Sequence, residues 1–294
     1  MQDNPHNTLH GGLAPGLYIV SAPIGNVRDI TLRAIDVLSS VDAIAAEDTR
    51  VTRKLLEIHG IKIPKLIRHD EHGSERSRPE ILARLAAGEA VALATDAGTP
   101  LVSDPGYKLV VEAVAAGHKV TPLPGPSAAL AALTLAGLPS DRFMFLGFLP
   151  SKSGPRCRAL GDVADIRATL VFFEGASRLA ASLADMAEVL GDRPACVARE
   201  LTKLYEEARR GSLLELSKHY QEVGAPKGEV TVVVAPPIPR QDTIEHADAR
   251  LIKLLEEFSV KDAAKAASME FNLPKSELYS RAVFLKKKKM RKNN

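Results

Sequence analysis

Over its first half the sequence alternates short apolar runs with stretches of helical spacing, and every apolar run ends on a polar or Gly/Pro turn. The runs span residues 16–21, 43–46, 65–68, 90–95 and 119–122, and the turns begin at Pro23, Glu47, His69, Asp96 and Pro124. Leu32, Ile35, Leu38 and Val41, after Thr31, recur at the spacing of one helix face. Further helical patterns carry Leu55 and Leu56, then cover 77–87, 107–116 and an alanine-rich stretch up to Ala136. Such alternation limits the chain to a largely parallel α/β sheet. In that arrangement the turns after the strands gather along one edge, where open α/β sheets bind ligands.

The stretch 90–106 lies at the centre of this pattern. Its apolar run suits a strand buried on both faces. The run breaks into Asp96-Ala97-Gly98-Thr99-Pro100 and then Ser103-Asp104-Pro105-Gly106 before a helix. Gly98 and Gly106 would let a ligand reach the backbone, and the prolines stiffen the loop. The same residues also suit a tight turn with Asp104 as N-cap and Pro105 in the first helical turn. Neither a phosphate loop nor a G-x-G-x-x-G pattern is present.

The pattern breaks at Gly137-Leu138-Pro139-Ser140. Strands follow at 143–148, 169–173, 195–198 and 229–235, with a helix over 177–190. Pro236-Pro237-Ile238-Pro239 reads as a stiff linker. Beyond it, helical patterns at 245–258, 261–271 and 275–285, with Ala263, Ala264 and Ala267 on one face, fit a helix-turn-helix or a plain helical hairpin. The expected organisation is a disordered leader (1–15), an N-terminal α/β domain (16–125), a C-terminal α/β domain (126–238) and a helical extension with a basic tail (239–294).

Bulk properties exclude several classes. No apolar run approaches the ~20 residues of a membrane span, and residues 1–15 lack the features of a signal peptide. Cys157 and Cys196 make neither a disulfide framework nor a metal spacing, which suits a reducing cytoplasm. The net charge of +3 conceals six cations in the last nine residues, Lys286 to Lys289, Arg291 and Lys292, which leave −3 on the remainder. The body is therefore not a basic nucleic-acid binder. The lysine run is either a solvated tail or a source of salt-dependent phosphate affinity.

Several polar clusters admit both a structural and a functional reading. In Glu47-Asp48-Thr49-Arg50, Asp48 or Thr49 can cap a helix, or the cluster can meet substrate at the rim. The segment 151–158 holds Lys152, Arg156 and Arg158 with two serines, and suits phosphate contacts or a solvated loop. Phe172 and Phe173 either flank a base or pack a core. Arg199-Glu200-Leu201-Thr202-Lys203, with Glu206 and Glu207, reads as a solvated charge cluster. His69 and His72, around Asp70 and Glu71, read as polar loop residues, and no metal is expected. No nucleophile signature is legible, so the chemistry is expected to reside in a bound cofactor.

Ser21-Ala22-Pro23-Ile24-Gly25-Asn26 is followed in order by Asp29 to Ala34, Ala46 to Arg50, Asp96 to Gly106 and Leu123 to Ala128. Phe148 to Lys152, Phe172 to Arg178 and Arg199 to Lys203 continue the series. In these motifs the chain resembles the ribosomal RNA small subunit methyltransferase I family, a branch of the tetrapyrrole-methylase fold, over residues 16–235. Its helical end resembles that family's C-terminal extension. The resemblance implies S-adenosylmethionine bound between two α/β domains, a homodimer, and 2′-O-methylation of a cytidine in the decoding region of 16S rRNA or the small ribosomal subunit. By position, the cofactor would lie against Pro23, Asp96, Ala97, Gly98, Thr99, Pro100, Ser127 and Ala128. Its adenosine end would lie near Phe172, Phe173, Ala198 and Thr231.

Methyl transfer to a hydroxyl is an in-line displacement, so the oxygen must be held about 3 Å from the methyl carbon. A base helps by taking the proton. Glu47 and Asp48 are the candidates for that base, with Arg50 on a phosphate and Lys152, Arg156, Arg158 and Lys203 as further substrate contacts. One rival is a tetrapyrrole methyltransferase of the same fold, disfavoured by the Glu47–Arg50 cluster, the 149–152 loop and the basic tail. The other is a non-catalytic RNA binder, disfavoured by Gly/Pro loops converging on one rim.

Overall fold

The computed structural model describes residues 13–71, 73–237, 244–271 and 273–292. Most of the expected leader, His72 and the linker residues 238–243 lie outside the described residues. The chain forms two compact units, one ending at Pro237 and one made of the helices beyond it.

In the first unit, β1 (Gly16–Val20), β2 (Ala43–Ala46), β3 (Lys65–Arg68), β4 (Ala90–Ala94) and β5 (Val120–Leu123) run parallel in the order β3-β2-β4-β1-β5. Helices α1 (Leu32–Ser40) and α2 (Thr49–Ile58) cover the face that carries Tyr18, Val20, Ile44 and Ala92. Helices α3 (Ser74–Ala86) and α4 (Tyr107–Ala115) cover the opposite face, with Leu17, Ile19, Val91 and Leu93. Burial on both faces is why β1, β2 and β4 read as unbroken apolar runs. From β1 the chain crosses to β2 on one side; from its neighbour β4 it crosses to β5 on the other. That reversal opens a crevice at the C-terminal ends of β1 and β4. Helix α4 begins after Gly106, whose φ of +125° favours glycine, so Asp104 is not its N-cap.

The second sheet is mixed. Helix α5 (Ala128–Ala136) leads into β6 (Phe143–Phe148), α6 (Ser153–Gly161), β7 (Thr169–Gly175), α7 (Leu179–Leu190), β8 (Pro194–Arg199), β9 (Glu207–Ser212), α8 (Leu213–Val223) and β10 (Glu229–Val234). The strand order is β6-β7-β10-β8-β9, with β6 parallel to β7 and the other pairs antiparallel. Helix α5 packs on one face against Val171, Cys196, Ala198 and Val233, and α6, α7 and α8 cover the other. Two elements correct the sequence expectation. Residues 153–161 form a helix rather than a polar loop, and Glu207 opens a strand rather than closing a solvated cluster. That strand, β9, pairs along its length with β8, and its Arg210 donates to the Leu135 and Ala136 carbonyls at the end of α5.

In the second unit α9 (Ile244–Glu257), α10 (Val260–Phe271) and α11 (Lys275–Lys292) bury Leu251, Leu278 and Ala282 with Ala263, Ala264 and Ala267. Arg281 donates to both Asp248 oxygens (2.7 and 2.6 Å), tying α11 to α9. The lysine run belongs to α11 and is helical as far as Lys292.

Candidate active site

Three rim loops lock together at the crevice. Ala22 and Gly98 exchange backbone hydrogen bonds (2.8 and 2.9 Å), with Gly98 at a φ of +78°. Ser21 Oγ donates to the Leu123 carbonyl (3.2 Å) and Thr99 Oγ1 to the Pro126 carbonyl (3.1 Å). The loops after β1, β4 and β5 therefore form one floor. The turn after β2 joins it: Asp48 N–H donates to Asp96 Oδ1 (3.0 Å), and Asp96 N–H to Glu47 Oε2 (3.3 Å). Asp48 also caps α2, accepting from Arg50 N–H (2.8 Å), and grips the Arg50 guanidinium at 2.5 to 3.1 Å.

The second sheet supplies the facing wall. Asn26 N–H donates to Thr202 Oγ1 (3.0 Å), in a loop where Glu200 and Thr202 both hold positive φ (+51° and +64°). Such values are strained for residues with a side chain. Lys203 Nζ is fixed between Glu200 (2.9 Å) and Glu229 (3.0 Å). Pro23, Gly25, Asp96, Ala97, Lys203 and Glu229 line a cleft of about 300 Å³.

Glu47, Asp96 and Asp104 make this region acidic. Burial raises the pKa of each. The charges of Glu47 and Asp96 add to burial at Asp104, which is pushed up to about 7. Asp48 behaves oppositely, because hydrogen bonds from Arg50 hold it down at about 2. Carboxylates raised by burial and by one another's charge favour a cationic ligand.

The structure separates the other sequence candidates. Thr231 pairs across the sheet with Phe173 and Ala198, and Phe173 and Ala198 share the cluster that holds Ile24 and α5. Phe172 points the other way and is fully buried beneath α7, since consecutive strand residues face opposite sides. It cannot flank a ligand beside Phe173. Arg156 is 3% exposed and bonds Asp185 (Nε 2.7 Å) and the Ser151 carbonyl (3.1 Å), so it is not a substrate contact. Lys152 and Arg158 are exposed. Ser127 caps α5, of which Ala128 is the first residue, by accepting from Leu130 N–H (3.4 Å). His69 lies in the loop between β3 and α3, as expected, but it is buried, its Nδ1 2.9 Å from Ser77 Oγ. In the sequence Thr202 stands only within the Arg199–Lys203 cluster and motif, and Glu229 carries no site signal; the approach of the two sheets brings them here.

Residues 16–217 match the family described as Tetrapyrrole (Corrin/Porphyrin) Methylases, and residues 241–286 match the RsmI C-terminal HTH domain. A protein of Mesorhizobium japonicum named ribosomal RNA small subunit methyltransferase I is 48% identical over 93% of this chain and 93% of its own. One of the same name from Erythrobacter litoralis is 49% identical over 93% of this chain and 96% of its own. The chain belongs to the ribosomal RNA small subunit methyltransferase I family. The solved uroporphyrin-III C-methyl transferase of Thermus thermophilus, complexed with S-adenyl homocysteine, shares the fold: TM-score 0.54, 20% identity, 74% of this chain and 96% of that one covered.

As a member of this family the chain is a methyltransferase whose donor is S-adenosylmethionine. The site fits that donor. Its sulfonium and ammonium outweigh its single carboxylate, and the crevice presents carboxylates short of cations. The floor is also close-packed: a Cβ on Gly125 would come 2.7 Å from Ser21 Cβ. Gly125→Ala is therefore expected to push the loops apart, costing about 1–3 kcal/mol of stability and weakening donor binding. Thermal unfolding and calorimetric titration with S-adenosylmethionine measure the two effects.

Proposed function

We propose that this chain, as a homodimer, methylates the 2′-hydroxyl of a cytidine in the decoding region of 16S rRNA. The observation that carries this reading is the 44–48% identity, over more than nine-tenths of the chain, to relatives named ribosomal RNA small subunit methyltransferase I. The tetrapyrrole methyltransferases share only the fold, at 19–22% identity. S-adenosylmethionine supplies an electrophilic methyl group on a sulfonium. In this reading Pro23, Asp96, Ala97, Gly98, Thr99, Pro100, Ser127 and Ala128 form the surface against which it lies. Phe173, Ala198 and Thr231 form the face nearest its adenosine end.

The protein's own work is to hold the acceptor in line and take its proton. Glu47 and Asp104 have the basicity for that task, because burial and like charge raise their pKa values. Asp48, held at about 2, is too weak a base; its work is to cap α2 and pin Arg50. The Arg50 side chain stays 89% exposed and open to a phosphate. Lys152, Arg158 and Lys203 are the remaining cations of the reading.

Mass-spectrometric mapping of 2′-O-methylcytidine in 16S rRNA from cells with and without the gene tests it. One decoding-region methyl group should vanish on deletion and return with the wild type but not with Asp96→Ala. An unchanged map would overturn the assignment and favour a tetrapyrrole substrate.

A further inference from the structure

We propose that the groove between the open edge of β3 and helix α3 is a subsite for the sugar-phosphate backbone of the RNA substrate, beside the acceptor nucleotide. This rests on the RNA reading above. The groove holds about 380 Å³ and is lined by Lys65, Leu66, Arg68, Arg76, Ser77 and Glu80. Strand β3 is the outermost strand of its sheet, paired only with β2. His69 N–H donates to the Ala46 carbonyl (2.7 Å). Peptide groups alternate in direction along a strand, so the N–H groups of Leu66 and Arg68 point to the open edge. They add neutral donors to a cationic wall.

The charges support the same occupant. Arg68 is occupied by Asp70 (Nε 2.7 Å), and Glu80 faces Arg84 (3.6 Å). Lys65 and Arg76 are exposed, and among the described residues neither side chain makes a hydrogen bond or ion pair. Around the crevice Arg50 pairs with Asp48 and Lys203 with Glu200 and Glu229, so the charge of both is partly neutralised. An acidic reaction centre repels a polyanion, so a nearby uncommitted pair of cations is what holds the RNA there. The position is right for that role. Arg68 is the register partner of Ala46, next to Glu47, and neighbouring strands lie about 4.8 Å apart. The groove mouth is thus within reach of a phosphate adjoining the acceptor nucleotide.

The test uses the full chain and small ribosomal subunits from a strain lacking the gene. Lys65→Ala/Arg76→Ala should weaken subunit binding on the order of tenfold at low salt and flatten the log K against log salt slope by about 1.4, roughly 0.7 per lost contact. KM should rise with kcat unchanged, and affinity for S-adenosylmethionine should stay at the wild-type value. A control pair, Lys119→Ala/Lys218→Ala, removes two exposed lysines that line neither the cleft nor the groove and should match the wild type. A wild-type slope in the groove variant, or an equal loss in the control, overturns the subsite. If the wild type neither binds nor methylates these subunits, the RNA reading itself fails.

Discussion

Asp104→Asn is expected to lower kcat for methyl transfer by about 10²–10⁴-fold, the range for loss of a positioned base, with donor affinity changed only a few-fold. The wild-type kcat/KM should rise with pH through about 7, where Asp104 ionises, and the variant should lose that limb. Stability gives an independent readout. The folded carboxyl titrates near 7 and the unfolded one near 3.8. Between those values the folded state binds more protons, so stability falls as pH rises through this window. The amide removes that slope. Discounted for partial exposure, the gain for the donor-free variant at neutral pH is about 1–2 kcal/mol. Stopped assays across pH and thermal unfolding measure both. A variant with full kcat and an unchanged pH profile would pass the proton-accepting role to Glu47.

The two sheets differ in how far the sequence reveals them. Strands β1, β2 and β4 are buried on both faces, so each reads as an apolar run, and each ends where the rim begins. That is why the loops carrying Pro23, Glu47 and Asp96 are legible together before any coordinates. The crevice itself is not legible, because it depends on β1 and β4 being neighbours whose chains depart in opposite directions. β9, with the sequence EARRGS, has almost no apolar signal; it forms because the edge of β8 offers a ladder. Phe172 and Phe173 look equivalent in sequence, and only the pleat and the register with β10 send one into the core. Asp104 illustrates the same limit in electrostatics. Its raised pKa comes first from burial and then from the charges of Glu47, distant in sequence, and Asp96, which the sheet gathers beside it.

Arg156→Ala is expected to be among the most destabilising single changes in the chain. The guanidinium meets Asp185 at 2.7 and 2.6 Å and the Ser151 carbonyl at 3.1 Å, all in a buried setting. Truncation leaves the largely buried Asp185 carboxylate unpaired, which costs about 3 kcal/mol, and strips a carbonyl of its donor. For a unit of this size each kcal/mol moves Tm by about 2–4 °C, so Tm should fall on the order of 10 °C. Arg156→Lys should recover only part of this, because an ammonium cannot span both partners as the planar fork does. A surface phosphate contact would behave in the reverse way, raising KM and flattening the salt dependence while leaving Tm alone. Binding measured per folded molecule, well below the transition, separates the two roles. Unchanged affinity with a lowered Tm is the expected result, because Arg156 of the polar 151–158 segment is used to seat α6 on α7.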